Sequence, residues 1–147
     1  MKSSLIQKQQ IAIEFIETAV VLYEEEKYFS SLHLAGAAEE IFEAYAKDSG
    51  IEPTKSTNAR LAKKLGDSTY KEHVAKKNIE WVMDYSKNAI KHATKNGEPS
   101  FDALLRPKLD AFRMIRRALK NAYLVNAKVA PQLYSFLSKN ELEFNNA

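Results

Sequence analysis

A chain of 147 residues, 45% apolar and 28% charged, has the size and balance of one globular domain with a single core. Only four Gly and four Pro leave too few turn-formers for a β-sandwich or barrel. With no Cys, disulfides, thiolate zinc sites and a cysteine nucleophile are excluded, which fits a reducing compartment. The net charge of +3 is unevenly spread. Residues 1–50 carry four basic against nine acidic side chains, residues 51–96 ten against five, and residues 97–147 eight against five. Such asymmetry points to self-association or to an anionic partner, or else to solvated helix faces of mixed sign.

Polar Lys8, Gln9 and Gln10 interrupt the first residues before a signal-peptide core forms. No apolar run approaches the roughly 20 residues that span a bilayer, so no membrane partner is expected and a cytoplasmic location is the expectation. Residues 4–26 place Ile6, Ile13, Ile16, Val20 and Tyr23 at helical spacing, ending at Glu24-Glu25-Glu26-Lys27. Ser30 or Ser31 offers an N-cap for a second helix to about Asp48, with Gly50 as its stop and Leu34, Ala38, Ile41, Phe42 and Tyr45 as its seam. Within it, Leu34-Ala35-Gly36-Ala37-Ala38 reads as a tight helix crossing, because no strand precedes it and no Gly-Lys-Ser follows as a phosphate loop would need. Glu39 and Glu40 lie in this otherwise apolar stretch. At least one is expected to face inward and to pair with a Lys or Arg of a neighbouring helix.

Residues 51–58 read as a loop, and a short helix over 58–65 is stopped by Gly66. A third long helix runs from about Ser68 to Ala93 with Ile79, Val82, Met83, Tyr85, Ala89 and Ile90 as its apolar positions, and breaks at Thr94–Pro99. The fourth starts near Ser100 or Asp102 and reaches about Asn126, with Leu105, Leu109, Phe112, Ile115, Leu119, Ala122 and Tyr123 as its seam. Pro131 opens a short terminal helix. The expected architecture is all-α: one domain over 1–147, an up-and-down four-helix bundle with an additional short C-terminal helix.

The residues three before His33, His73 and His92 are Ser30, Tyr70 and Ala89, so the Glu-x-x-His pattern of di-iron bundles is absent, and neither metal nor cofactor is expected. Arg113, Arg116, Arg117 and Lys120 recur at i, i+3, i+4 and i+7, a basic stripe that suits phosphates or pairing with acids equally well. The pattern of aromatics indicates no stacking platform for RNA. The most informative segment is Tyr85-Ser86-Lys87-Asn88-Ala89-Ile90-Lys91-His92. Here His92 continues the spacing of Val82, Tyr85 and Ala89 in a last helical turn, where exposed carbonyls favour its protonated form. On position alone, a core or capping role is the simpler reading of this histidine.

Lys87-Asn88-Ala89-Ile90-Lys91-His92, between two long helices, resembles the Arg-x(4–6)-His motif of HEPN (higher eukaryotes and prokaryotes nucleotide-binding) domains. Leu34-Ala35-Gly36-Ala37-Ala38-Glu39-Glu40 and Arg116-Arg117-Ala118-Leu119-Lys120-Asn121 are similar to segments of bacterial members, and the likeness spans roughly residues 28–124. The resemblance implies a helical bundle that homodimerises, with the motifs of two chains meeting in a cleft. It implies metal-independent endoribonuclease or nucleotide-binding activity, often in toxin–antitoxin systems. His92 would be the general acid–base, Lys87 would stand where the Arg holds phosphate, and Asn88 would be the polar residue beside it. Lys91, Lys95, Arg113, Arg116, Arg117 and Lys120 would bind nucleic acid. Lys87 departs from the motif by losing the planar fork that grips phosphate, and it lies about 140° around a straight helix from His92. The expectation is therefore a homodimer that binds RNA or nucleotide phosphates, with weak or absent ribonuclease activity and an antitoxin or other protein as a further partner. The alternative is a non-catalytic helical module for protein–protein interaction.

Overall fold

The structure is a computed structural model that describes residues 3–69, 76–92 and 103–145. It is all-helical, with six helices and no strand among the described residues: α1 (Lys8–Glu24), α2 (Tyr28–Asp48), α3 (Thr54–Thr69), α4 (Lys76–Ala89), α5 (Pro107–Leu124) and α6 (Pro131–Asn145). None is long and apolar enough to cross a membrane.

Helices α1, α2 and α5 share one ending. At the end of α1, the Lys27 N–H donates to the Leu22 carbonyl (2.8 Å) and the Glu26 N–H to the Tyr23 carbonyl (3.0 Å). The same pair recurs as Ile51 to Ala46 and Gly50 to Lys47 after α2, and as Ala127 to Ala122 and Asn126 to Tyr123 after α5. This is the Schellman motif, which needs a left-handed residue at its hinge. Gly50 (φ 73°) supplies it without strain, whereas Glu26 (φ 61°) and Asn126 (φ 53°) adopt it with side chains. The turn at Glu26 lets α2 begin at Tyr28, earlier than the serines suggested. Ser31 caps nothing: its hydroxyl donates to the Ala19 carbonyl at 2.7 Å and ties α2 to α1.

Helix α5 starts later than expected, at Pro107. Residues 103–106 precede it, because the residue before proline is pushed out of the helical region, and Arg106 sits at φ −113°, ψ 83°. The Asp110 carboxylate accepts the Arg106 N–H at 2.7 Å and closes the first turn. Helix α3 runs straight through Gly66, and the terminal helix opened by Pro131, expected to be short, extends over 15 residues as α6. The expected break at Thr94–Pro99 and the start near Ser100 or Asp102 fall outside the described residues.

The apolar core is built from α1, α2, α5 and α6. Ala12, Ile16 and Ala19 of α1, Leu32, Ala35, Ala38 and Phe42 of α2, and Phe112, Ile115 and Leu119 of α5 are buried in it. Tyr23, Phe112 and Phe136 interlock at one end, with Phe144 stacked on Phe112 at 4.9 Å. Among the described residues, α3 and α4 contribute no fully buried member of this cluster. They pack on each other and meet α2 and α5 along narrow seams.

Candidate functional site

The seam between α2, α4 and α5 is polar. Glu39 is fully buried, and its carboxylate accepts from Lys87 Nζ of α4 at 3.3 Å and from Arg117 Nε of α5 at 3.1 Å. Arg117 also donates to the Met83 carbonyl at 3.1 Å and to Asp84 of α4. Lys55 of α3 reaches Asp84 at 3.0 Å and Glu43 of α2 at 3.3 Å, while Lys47 closes on Glu43 from the solvent side. Lys87, only 3% exposed, further contacts Glu40 at 3.0 Å and Asp84 at 3.5 Å. Four carboxylates thus interleave with Lys55, Lys87 and Arg117. Burial alone would raise the Asp84 carboxyl, but Arg117, Lys87 and Lys55 outweigh it and hold the group below its ordinary range. Glu40 and Glu43 follow the same pattern. Burial works upward on each and is overcome by Lys87 and Lys91 around Glu40, and by Lys47 and Lys55 around Glu43.

Gly36 makes this lattice reachable. The Lys87 stem runs over it, and a Cβ there would meet Lys87 Cγ at 2.7 Å and Cδ at 2.8 Å. The small-residue run of α2 does mark a close approach, but the visitor over Gly36 is a lysine side chain rather than another backbone.

The opposite side of α4 faces a different environment. At about 100° per residue, Tyr85 points roughly away from Lys87, and Trp81 lies one turn before it. These two rings, 5.9 Å apart, form one wall of a cleft of about 690 Å³ between α4 and α5. Across it stand Arg106, Arg113, Arg116 and Lys120. Arg113 and Lys120 have no ion-pair partner among the described residues, and Arg116 only a long one, 3.5 Å from Glu141. Partial burial first, then Arg106 and Arg116, lower the Arg113 pKa against the pull of Asp110.

The residues singled out from the sequence therefore divide. Arg113, Arg116 and Lys120 line the cleft together. Arg117 also borders it, but its guanidinium is committed to Glu39, Asp84 and the Met83 carbonyl. Lys87 lies in the ion lattice, and Lys91 is 3.5 Å from Glu40 on the lattice rim. Asn88 is half-buried, and its carbonyl accepts the Lys91 and His92 N–H groups at 3.1 and 3.2 Å just past the end of α4. His92 is half-buried there. Lys95 lies outside the described residues. Sequence reading left out Trp81 and Arg106, placed Tyr85 on the apolar seam of its helix and found no stacking platform among the aromatics, whereas the cleft brings Trp81, Tyr85 and Arg106 together. The available signal was the i, i+4 spacing of the two aromatics, which puts them on one helix face.

Comparisons with family models, with curated proteins and with solved structures find no match to this chain.

Proposed function

We propose that this chain is a HEPN-like bundle that binds RNA or nucleotide phosphates in the α4–α5 cleft, with weak or absent ribonuclease activity. The observation that carries the reading is the cleft's composition: Trp81 and Tyr85 on one wall, Arg106, Arg113, Arg116 and Lys120 on the other. Stacking surface opposite a cationic wall in which Arg113 and Lys120 have no ion-pair partner among the described residues matches a ligand that alternates flat bases with phosphates. Three carboxylates around the Lys87 ammonium argue for binding over cleavage, since a phosphate would have to displace them to reach it. Homodimerisation and an antitoxin-like partner belong to this reading through the motif resemblance.

Trp81 is the only tryptophan, so its fluorescence reports on the cleft directly. Titration with oligouridylate at low salt is expected to quench it saturably in wild type and far less in Arg113→Glu. Absence of quenching by any oligonucleotide overturns the reading. Incubation with RNA in EDTA, comparing wild type with His92→Ala and Lys87→Arg, tests residual cleavage. Cleavage lost in His92→Ala would restore the nuclease reading.

A second reading rests on Trp81, Val82 and Leu104, exposed apolar side chains that border the same cleft and suit a protein partner. Under it, a partner protein rather than RNA would protect Trp81.

A further inference from the structure

Resting on the cleft reading above, we propose that the cleft continues into a second base-stacking subsite at Tyr123, making the ligand a single-stranded polynucleotide. A second groove of about 400 Å³ lies between the start of α3, the end of α5 and α6, with Tyr123, Leu124, Tyr134 and Leu137 among its walls. It shares Thr54, Asn58 and Lys120 with the cleft, so the two form one trough with Lys120 at their junction. Tyr123 is 73% exposed and meets Tyr134 edge-to-face at 6.5 Å.

The order of groups along α5 gives the trough its chemistry. Arg113, Arg116, Lys120 and Tyr123 fall within about 80° of helix arc and extend over about 15 Å of axis. At the axial spacing of stacked nucleotides, about 3.4 Å, that length matches about four nucleotides. Arg113, Arg116 and Lys120 offer phosphate contacts along α5, and Trp81 and Tyr85 face them from α4. Tyr123 stands one turn beyond Lys120 in the second groove, offering a further flat face to a base. The far groove is walled mainly by Tyr123, Leu124, Tyr134 and Leu137, and its carboxylate, Glu52, is paired with Arg60 at 3.2 Å, so the groove offers a base a largely apolar seat. A mononucleotide is too short to reach from Arg113 to Tyr123, about 15 Å along the α5 axis. A duplex keeps its bases stacked on each other, away from both rings.

The test is fluorescence anisotropy with labelled uridine dinucleotide, octanucleotide and an octamer duplex, on wild type, Tyr123→Ala, Tyr123→Phe, Trp81→Ala and Arg113→Glu. Tyr123→Ala is expected to weaken octanucleotide binding about tenfold and leave the dinucleotide unchanged, with Tyr123→Phe retaining wild-type affinity. Trp81→Ala is expected to weaken both single strands, and the duplex to bind less tightly than the octanucleotide. If Tyr123→Ala leaves the octanucleotide unchanged while Arg113→Glu weakens it, the second subsite is wrong and the cleft stands. If wild type binds none of the three probes, both fall. Tyr123 lies on the surface, so its removal leaves the fold intact.

Discussion

Gly36 of α2 and Lys87 of α4 are shaped to each other: the lysine stem occupies the space that a side chain at position 36 would need. The atoms met first are the mid-stem Cγ and Cδ, and the ammonium beyond them is held by Glu39 and Glu40, so the stem has little freedom to swing aside. Gly36→Ala gains about 1 kcal/mol of helix propensity, against an overpacking cost of about 1–3 kcal/mol. A net loss of about 1 kcal/mol is expected in urea denaturation. The penalty should shrink when Lys87→Ala is added. An equal penalty in both backgrounds would show that the two residues are not in contact.

Glu39 is the centre of the ion lattice, and removing it leaves Lys87 and Arg117 buried with less counter-charge. Glu39→Ala is expected to cost about 3–5 kcal/mol, the range for breaking a buried pair. Replacing both members of one pair, as Glu39→Leu with Lys87→Met, should recover much of that, because an apolar pair of similar volume needs no desolvated charge. Chemical denaturation of the single and double variants checks the order. A loss under about 1 kcal/mol for Glu39→Ala would mean that water reaches the site.

The lattice also fixes a pH response. Asp84, Glu40 and Glu43 have folded-state pKa values below their ordinary 3.8, 4.5 and 4.5. Their contribution is therefore complete above those ordinary values and is lost as pH falls through about 4 and below. Lys55 is raised above 10.5, so its contribution is present at neutral pH and lost only in strong alkali. Hydrogen exchange should show α4 amides losing protection below about pH 4 before those of α2 and α5. Simultaneous loss in all three helices would contradict charge-based docking of α4.

Glu26 holds a left-handed conformation that glycine adopts freely, at a cost of about 1 kcal/mol for a side chain. Glu26→Gly is expected to raise stability by up to about 1 kcal/mol, and Asn126→Gly by less, since asparagine tolerates that region better. Thermal melting of the two variants checks the ranking.

Lys120 sits where the two grooves join and has no ion-pair partner among the described residues. In RNA titrations across salt concentrations, Lys120→Ala should reduce the slope of log K against log salt by about 1. An unchanged slope would remove Lys120 from phosphate contact.

The helical class, the stop at Gly50 and the pairing of Glu39 with basic groups of other helices were legible in the sequence, because each rests on local spacing or on the cost of burying a lone charge. The helix starts at Tyr28 and Pro107 were not read. The first depends on a glutamate accepting a left-handed hinge, and the second on proline outweighing two attractive N-caps upstream. In α4 the apolar seam misled: Val82 is exposed and Lys87 is buried, since the surface opposite is a row of carboxylates rather than a core. The cleft was hidden for a related reason. Tyr85 read as an interior residue, and Trp81 joined no seam, until α4 is turned by its charged side toward α2.

Helix α4, which carries Trp81 and Tyr85, and its neighbour α3 are held to the rest of the molecule by charge matching, while the apolar interior closes without them. Such an attachment specifies a few ionic positions and leaves the remaining surface of α3 and α4 open to substitution. Ligand preference in a lineage of such chains can then drift through the aromatic wall, while Phe112, Ile115 and Leu119 keep α5 itself fixed in the interior. Grafting a different helical pair onto the same acidic row of α2 is a direct route to new specificity on this scaffold.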